Sequence, residues 1–211
     1  MLRILVVALV MLAGATVWMS NFRQNLPEPQ VATILPGLLE LPNVSLVDAE
    51  GQPFATTHLE DRITLLFFGF TYCPDICPIT LQTLATASDD LRERGIEPPD
   101  VLFVSVDPER DSPDRIRRYL DNFDTTFDGV TGPDDAFEPL TSALGVVVER
   151  HEHDDAEAYN VTHNSTIFVV GHDAEVVAIF SAPHDARVIA SDFLLVRHRY
   201  LSTRSESAAS L

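Results

Sequence analysis

Residues 63–78, ITLLFFGFTYCPDICP, decide the fold of this chain. The first half, Ile63 to Phe70, is continuously apolar, which is typical of a strand buried on both faces of a sheet. Two cysteines follow at once, and apolar side chains then recur at helical spacing from Ile79 to Arg94. The stretch predicts a central strand, a short loop that carries Cys73 and Cys77, and a helix that returns across the sheet.

The two cysteines are the first candidates for chemistry. A site between the end of a strand and the start of a helix is where open α/β sheets often bind ligands. The positive end of the helix favours thiolates, which attack disulfides or bind soft metal ions such as Cu(I) and Zn(II). The spacing of Cys73 and Cys77 is one residue longer than C-x-x-C, which lets both sulfurs face a shared external point and still permits a disulfide. Metal binding, redox chemistry and an inert buried pair all stay open at this stage.

Strands and helices alternate on both sides of this stretch. Strand–helix–strand crossovers predict parallel pairing, and a short turn near Gly171 predicts an antiparallel hairpin for the last two strands. The predicted fold is a thioredoxin-like α/β fold, with a mixed sheet flanked by helices. The predicted strands are 44–54 as a hairpin, then 101–106, 127–131, 146–150, 165–170 and 176–181, and the helices are 112–123, 134–144 and 185–200.

The net charge of the chain argues against one class of partner, nucleic acids. The chain of 211 residues has a formal net charge of −18, and all 14 of its basic residues are arginines. Such a surface repels phosphate backbones, so we expect no nucleic-acid partner. With only two cysteines in the whole chain, a disulfide framework of the kind found in small secreted domains is excluded.

The N-terminus predicts a membrane anchor. Leu2 to Met19 is apolar except for Arg3 and Thr16, and it is about long enough to span a bilayer as one helix. A cleaved signal peptide is the alternative, but the apolar run continues to Trp18, which suits a membrane interface. In either case the rest of the chain is exported.

These observations predict a division of the chain into four parts. Residues 1–20 form a signal anchor or transmembrane helix, and 21–40, with three prolines and no periodicity, form an irregular linker. Residues 41–200 form the thioredoxin-like domain, and 201–211 form a flexible tail.

Three motifs, in order, resemble the Sco/SenC family of copper chaperones. Residues 68–78, FGFTYCPDICP, resemble the family's cysteine signature, and 104–113, VSVDPERDSP, resemble its second signature. Residues 159–165, YNVTHNS, resemble its histidine segment and contain His163. The resemblance covers about residues 41–200 and departs from the family pattern at Thr162, where members often have an aspartate before the histidine.

The resemblance implies a copper ion, as Cu(I) or Cu(II), bound by Cys73, Cys77 and His163. Two thiolates and one imidazole make a trigonal site for Cu(I). The implied task is delivery of copper to the copper A centre of cytochrome c oxidase, so the expected partner is the copper A subunit. We expect the domain to face the periplasm from the inner membrane of a bacterium, as a single-pass protein.

Alternative functions remain. Cys73 and Cys77 form the catalytic pair if the protein is a thiol–disulfide oxidoreductase that keeps the copper A cysteines reduced. A metallochaperone without turnover is favoured over that enzyme, and a peroxidase of the same broad fold is disfavoured, because both cysteines lie in one loop. The recipient oxidase cannot be read from the chain.

Several other polar residues admit two interpretations. The second buried strand is followed by Asp107, Arg110 and Asp111. In one interpretation these residues support the cysteine site or form a docking surface for a partner, and in the other they only fix the conformation of a loop. His151 and His153 lie in a polar insertion, as a second metal site or as a solvated loop. The other histidines are assigned no role.

Overall fold

A computed structural model of the chain describes residues 7, 9–15, 27–151, 160–162 and 165–209. Residues 9–15 are helical. The strands are β1 (Ala32–Glu40), β2 (Ser45–Asp48), β3 (Pro53–Ala55), β4 (Thr64–Gly69), β5 (Asp100–Ser105), β6 (Asp128–Thr131), β7 (Glu149–His151), β8 (Asn160–Thr162), β9 (Ile167–Val170) and β10 (Glu175–Phe180). The helices are α1 (Ile76–Glu93), α2 (Pro113–Leu120), α3 (Asp134–Ala143) and α4 (Ala186–Ala209), with a short 3₁₀ helix at Thr56–Leu59.

Eight strands form one mixed sheet in the order β1-β10-β9-β4-β5-β6-β2-β3. The strands β4, β5 and β6 are parallel, as the helical crossovers α1 and α2 require. Strand β9 is antiparallel to β4, and β10 is antiparallel to β9. The predicted mixed sheet flanked by helices, with parallel crossovers and a final hairpin, is therefore confirmed.

Strand β4 lies at the centre of the core, and all six of its residues are buried. Its apolar run therefore reflects burial on both faces, as predicted. The strand ends at Gly69, and the backbone of Val106, just after β5, donates to the Gly69 carbonyl at 2.9 Å. The loops that follow β4 and β5 are thus held side by side at one end of the sheet, here called the cysteine end.

Strand β1 corrects part of the predicted linker. Residues 32–40 pair with β10 at the edge of the sheet, although Pro36 and Gly37 suggested an irregular segment. The register shifts between Ile34 and Leu39, so the proline and glycine lie within a bulge. An edge strand tolerates proline because its outward face needs no N–H donor.

The segment before β1 is fastened to α4. The backbone amides of Gln30, Val31 and Ala32 donate to the carboxylate of Asp192 at 2.9, 2.8 and 2.9 Å. Asp192 is fully buried, so these charge-assisted bonds replace its lost hydration. These hydrogen bonds therefore attach the start of β1 to α4.

Helix α4 also runs further than predicted. It continues to Ala209, whereas residues 201–211 were expected to be a flexible tail. Ser202 and Thr203 donate to the carbonyls of His198 and Arg199, and Arg204 pairs with Asp173 at 2.9 Å. Without a proline or glycine after residue 186, the helix has no residue that ends it early.

No helix within the described part of the chain has both the length and the apolar character needed to cross a bilayer. Of the predicted anchor, residues 1–20, the structure describes only 7 and 9–15. The anchor stays a prediction, and so does the division of the chain apart from residues 32–40 and 201–209, which lie in β1 and α4.

Candidate metal and redox site

The cysteine loop connects β4 to α1 in six residues. A turn follows the strand, in which the amide of Cys73 donates to the carbonyl of Phe70 at 3.2 Å. Helix α1 then begins at Ile76, three residues before the predicted start at Ile79. Cys77 consequently lies in the first turn of the helix and not in the loop.

This early helix start gives the two cysteines different surroundings. Cys73 is half-buried, whereas Cys77 has 0% of its surface exposed. The expectation that both sulfurs face a shared external point is therefore wrong for Cys77, because the first turn of α1 directs its side chain towards the sheet. Of the two cysteines, only Cys73 has surface exposed to solvent.

The two sulfurs nevertheless interact. The amide of Cys77 lies 3.4 Å from the Sγ of Cys73, and both cysteines are in the thiol form. A hydrogen bond to Cys73, together with burial, raises the pKa of the Cys77 thiol. The Cys77 thiol therefore loses its proton less readily than an ordinary cysteine, and Cys73 is the cysteine that an incoming partner meets first.

Gly69 allows this close packing. A Cβ atom at Gly69 would lie 2.5 Å from Cε2 of the Phe103 ring and 3.1 Å from the Sγ of Cys77. The first distance is shorter than carbon atoms tolerate, so any larger residue displaces the ring or the helix turn. Glycine is needed here for the close approach of the sheet to the sulfur.

The side chain of Asp111 anchors the cysteine loop through hydrogen bonds. Its carboxylate accepts hydrogen bonds from the Thr71 amide at 2.9 Å, the Thr71 hydroxyl at 2.5 Å and the Ser105 hydroxyl at 2.7 Å. Asp111 is fully buried, and burial raises its pKa although these donors oppose the shift. The carboxylate thus joins the cysteine loop to the end of β5.

Arginines surround the exposed side of the loop. Arg110 pairs with the buried carboxylate of Asp107 at 2.5 Å, and its guanidinium lies 4.9 Å from the centre of the Tyr72 ring. Arg115 stacks on the same ring at 3.9 Å and donates to the Thr71 hydroxyl at 2.7 Å. The ring of Tyr72, the residue before Cys73, therefore makes cation–π contacts with two arginines.

An apolar rim lies next to the exposed sulfur. Tyr72 and Ile79 expose 49% and 55% of their surfaces, and Ile76 is also exposed. Ile79 is the first of the apolar side chains predicted at helical spacing, and it lies on the exposed side of α1. A partner that reaches Cys73 therefore contacts apolar side chains.

His163 lies outside the described residues. The described chain resumes at Ser165, close to the cysteine end, because Ile167 pairs with Phe67 near the end of β4. Within the part that the structure describes, no three histidine, cysteine or carboxylate side chains form a metal site. The roles of Cys73, Cys77 and His163 as metal ligands therefore stay predictions.

The remaining sequence candidates divide in two. Asp107, Arg110 and Asp111 lie at the cysteine end and fix its loops, as one of their two interpretations proposed. His151 is in β7, although its side chain is not described, and His153 lies outside the described residues. A second metal site at these histidines stays a hypothesis.

Sequence reasoning missed Thr71, Arg115 and His184. Thr71 and Arg115 are 44 positions apart and meet only through the fold, although Thr71 lies within the cysteine signature. The Nε2 of His184 lies 2.6 Å from the Ser165 carbonyl, so Nε2 donates to that oxygen. No local pattern distinguishes this histidine from the others.

Comparison with known proteins agrees with this geometry. The chain is 34% identical over 150 residues to a protein of Stutzerimonas stutzeri, which covers 71% of this chain and 73% of the relative. ScoI of Arabidopsis thaliana, solved with copper bound, superimposes with a TM-score of 0.71 at 28% identity, over 75% of this chain and 98% of that one.

BsSco, described with a disulfide switch and as a member of the Sco family of cytochrome c oxidase assembly proteins, shares the fold. It has a TM-score of 0.61 and 21% identity, over 78% of this chain and 96% of that one. The SCO1/SenC family model matches residues 40–196, which includes β2 to β10 and both cysteines. The chain therefore belongs to the SCO1/SenC family.

Proposed function

We propose that this protein is a copper metallochaperone that binds one copper ion through Cys73, Cys77 and His163. It delivers the ion to the copper A centre of cytochrome c oxidase. The observation that carries the proposal is the pair of thiols at the start of α1, one half-buried and one buried, in which the Cys77 amide contacts the Cys73 sulfur.

The donor set fits copper. Thiolates are soft ligands and suit Cu(I), and an added imidazole completes a trigonal site. Copper must displace the proton of the Cys77 thiol, so metal binding releases protons. The hydrogen bonds to Asp111 hold the loop in place, which limits the reorganisation needed when the metal enters or leaves.

The family supports the same assignment. ScoI of Arabidopsis thaliana holds copper on the same fold, and the Sco family is described as one of cytochrome c oxidase assembly. The apolar rim of Tyr72, Ile76 and Ile79 gives the copper A subunit a surface on which to dock beside Cys73. We further propose that residues 2–19 anchor the chain in the inner membrane, with the domain in the periplasm.

The first test is the copper content of the full chain, purified reduced and loaded with Cu(I). We expect one copper per chain for the wild type. In His163→Ala we expect about 10- to 100-fold weaker binding, because an imidazole ligand is lost. Competition with a chromophoric Cu(I) chelator measures the affinity.

His198→Ala is the matched control, because this histidine is exposed on α4. It should bind copper as the wild type does. Copper binding that is indifferent to His163 contradicts the proposed ligand set, and a chain that retains no copper contradicts the chaperone itself.

A thiol–disulfide oxidoreductase is the second candidate, favoured by the unequal exposure of the two sulfurs. The Cys73 thiolate would attack a disulfide of the copper A subunit, break its S–S bond, form a mixed disulfide with one partner sulfur and release the other as a thiolate that takes up a proton. Cys77, as thiolate, would then attack Cys73 and release the second partner thiolate, which takes up a proton. Two electrons pass to the partner, and Cys73 and Cys77 end as a disulfide.

The two candidates differ in their need for His163. A copper A domain with its cysteines oxidised, mixed with the reduced and copper-free chain, reports reductase activity as free partner thiols. If His163→Ala reduces the partner at the wild-type rate while the wild type fails to transfer copper, the oxidoreductase is the function.

A further inference from the structure

A cavity of about 170 Å³ lies at the end of the sheet opposite the cysteines. It opens where β4, β5 and β6 begin, and its lining includes Asp48, Glu50, Phe54, Thr64, Asp100 and Asp128. Ligand pockets for drug-sized molecules measure about 300–1,000 Å³, so this cavity suits a single functional group.

The strand register brings its polar side chains to one face. Thr64 pairs with Asp100 in the parallel β4–β5 ladder, and Leu102, two residues after Asp100, pairs with Asp128. Paired residues, and residues two apart on one strand, project on the same side of a sheet. Thr64, Asp100 and Asp128 therefore point into the cavity from three neighbouring strands.

The cavity carries excess negative charge. Arg62 pairs with Asp100 at 3.2 Å on the exposed rim, and Arg117 lies 3.5 Å from Glu50. Partial burial, and then repulsion from Glu50 and Asp100, raise the pKa of Asp128 although both arginines oppose the shift. The four carboxylates of Asp48, Glu50, Asp100 and Asp128 thus outnumber the two nearby arginines.

A buried hydroxyl gives an independent indication of a ligand. Thr64 exposes 1% of its surface, and its Oγ1 atom has no hydrogen-bond partner within the described ranges of the chain. Burying a hydroxyl without a partner costs free energy, so such groups are rare in native proteins. Its position on the cavity face gives it an acceptor role towards a bound N–H group.

The wall of the cavity favours an organic cation over a metal ion. The rings of Phe54 and His58 are stacked, with centroids 5.2 Å apart and planes inclined by 21°. An aromatic face attracts planar cations. The carboxylates do not converge as metal ligands within the portion of the chain that is described.

We propose that this cavity binds a guanidinium group, which stacks against Phe54 and donates hydrogen bonds to Asp128, Asp100 and the hydroxyl of Thr64. The planar fork of guanidinium donors matches paired carboxylate acceptors. The group belongs to a small guanidinium compound or to an arginine side chain of a partner. This site is separate from the cysteines and does not depend on the copper function.

The test is a titration of the full, copper-free chain with methylguanidinium chloride, followed by amide NMR. We expect saturable changes in the amide chemical shifts of Thr64, Asp100 and Gly129. The dissociation constant should be about 1 mM, because few ligand atoms make contact. Asp128→Asn should bind about tenfold more weakly, because a charged hydrogen bond is lost. Thr64→Val, of the same shape, should weaken binding about threefold.

Three controls make the result decisive. Glu138→Gln removes one exposed charge from α3, away from the cavity lining, and should leave the affinity unchanged. N-methylurea has the same shape without charge and should give no saturable shift. Equal shifts with N-methylurea, or with sodium chloride at the same ionic strength, or an unchanged affinity in Asp128→Asn, overturn the proposal.

A blocked arginine peptide distinguishes the two sources of the group. If it binds about tenfold more tightly than methylguanidinium, the occupant is a partner's arginine, because the peptide backbone adds contacts. Equal affinities identify a small compound as the occupant.

Discussion

Asp111 and Asp128 lie at opposite ends of the same sheet and differ in what surrounds them. Burial raises the pKa of both carboxyl groups. Around Asp111 the next largest contributions come from hydrogen-bond donors on Thr71 and Ser105, which lower the pKa. Around Asp128 they come from the like charges of Glu50 and Asp100, which raise it further.

This contrast separates a structural carboxylate from one placed for a ligand. At the cysteine end the polar groups satisfy each other and hold a loop still, so the chemistry is left to the sulfurs. At the opposite end of the sheet, the four carboxylates at the cavity outnumber the two nearby arginines, so part of their negative charge is not neutralised.

The largest effect is expected for Asp111→Ala. The substitution leaves the Thr71 amide and the Thr71 and Ser105 hydroxyls without their acceptor, in a buried place. Unsatisfied buried donors of this kind should lower the free energy of unfolding by about 3 kcal/mol in urea denaturation. The control is Asp114→Ala, at an exposed position in the first turn of α2, which should cost less than about 1 kcal/mol. Equal losses in the two variants contradict the supporting role of Asp111.

Gly69→Ala should cost about 2 kcal/mol, since its methyl group overlaps the Phe103 ring. Gly37→Ala is a matched control on β1, because nothing lies within 4 Å of its Cβ position. We expect its stability to change by less than about 0.5 kcal/mol. Thermal unfolding compares the two, and a tolerated Gly69→Ala means that the contact between the sheet and Cys77 is not tight.

Alkylation of the reduced, copper-free chain should distinguish the cysteines. Cys73 is half-buried and Cys77 is fully buried with a raised thiol pKa, so Cys73 should react about tenfold faster or more, a difference of about 1.4 kcal/mol in activation free energy. Iodoacetamide labelling with peptide mass mapping measures both rates. In denaturant the rates should converge, whereas equal rates in the folded chain contradict the unequal exposure.

The smallest effect concerns the pH dependence of Asp128. Its folded-state pKa is raised, so the stability it contributes is complete below the unfolded-state pKa and is lost as the pH rises through the folded-state value. Asp128→Asn should therefore be more stable than the wild type at neutral pH, by only about 0.5 kcal/mol because solvent screens a partly exposed charge, and equal to it in acid. Denaturation over a pH series checks this, with Glu138→Gln expected to follow the wild-type curve. A variant less stable than the wild type at neutral pH reverses the sign and rejects the argument.

Local signals explain what could be predicted from the sequence. The apolar run of β4 and the periodicity of α1 are encoded in adjacent residues, so the central strand, the cysteine loop and the parallel crossovers were all predictable. The start of α1 was placed three residues late, because the apolar side chains keep helical spacing only from Ile79 onwards. That small error concealed the burial of Cys77.

Features that depend on distant residues could not be predicted. Asp111 and Thr71 are 40 positions apart, and the acidic cavity collects residues from several strands and turns. Strand β1 was missed because Pro36 and Gly37 interrupt it, and only the partner strand β10 shows that they lie within a bulge. The ligand role of His163 rests on the resemblance and on the proposed test.

The attachment of residues 30–32 to Asp192 sets the direction in which the chain leaves the domain. Strand β1 is antiparallel to β4, because β1, β10, β9 and β4 alternate in direction, so its first residue lies at the cysteine end. Ten residues, 20–29, separate this fastened segment from the apolar N-terminal run, and they reach at most about 36 Å. Together with the proposed membrane anchor, so short a connection would keep the cysteine end of the sheet near the bilayer.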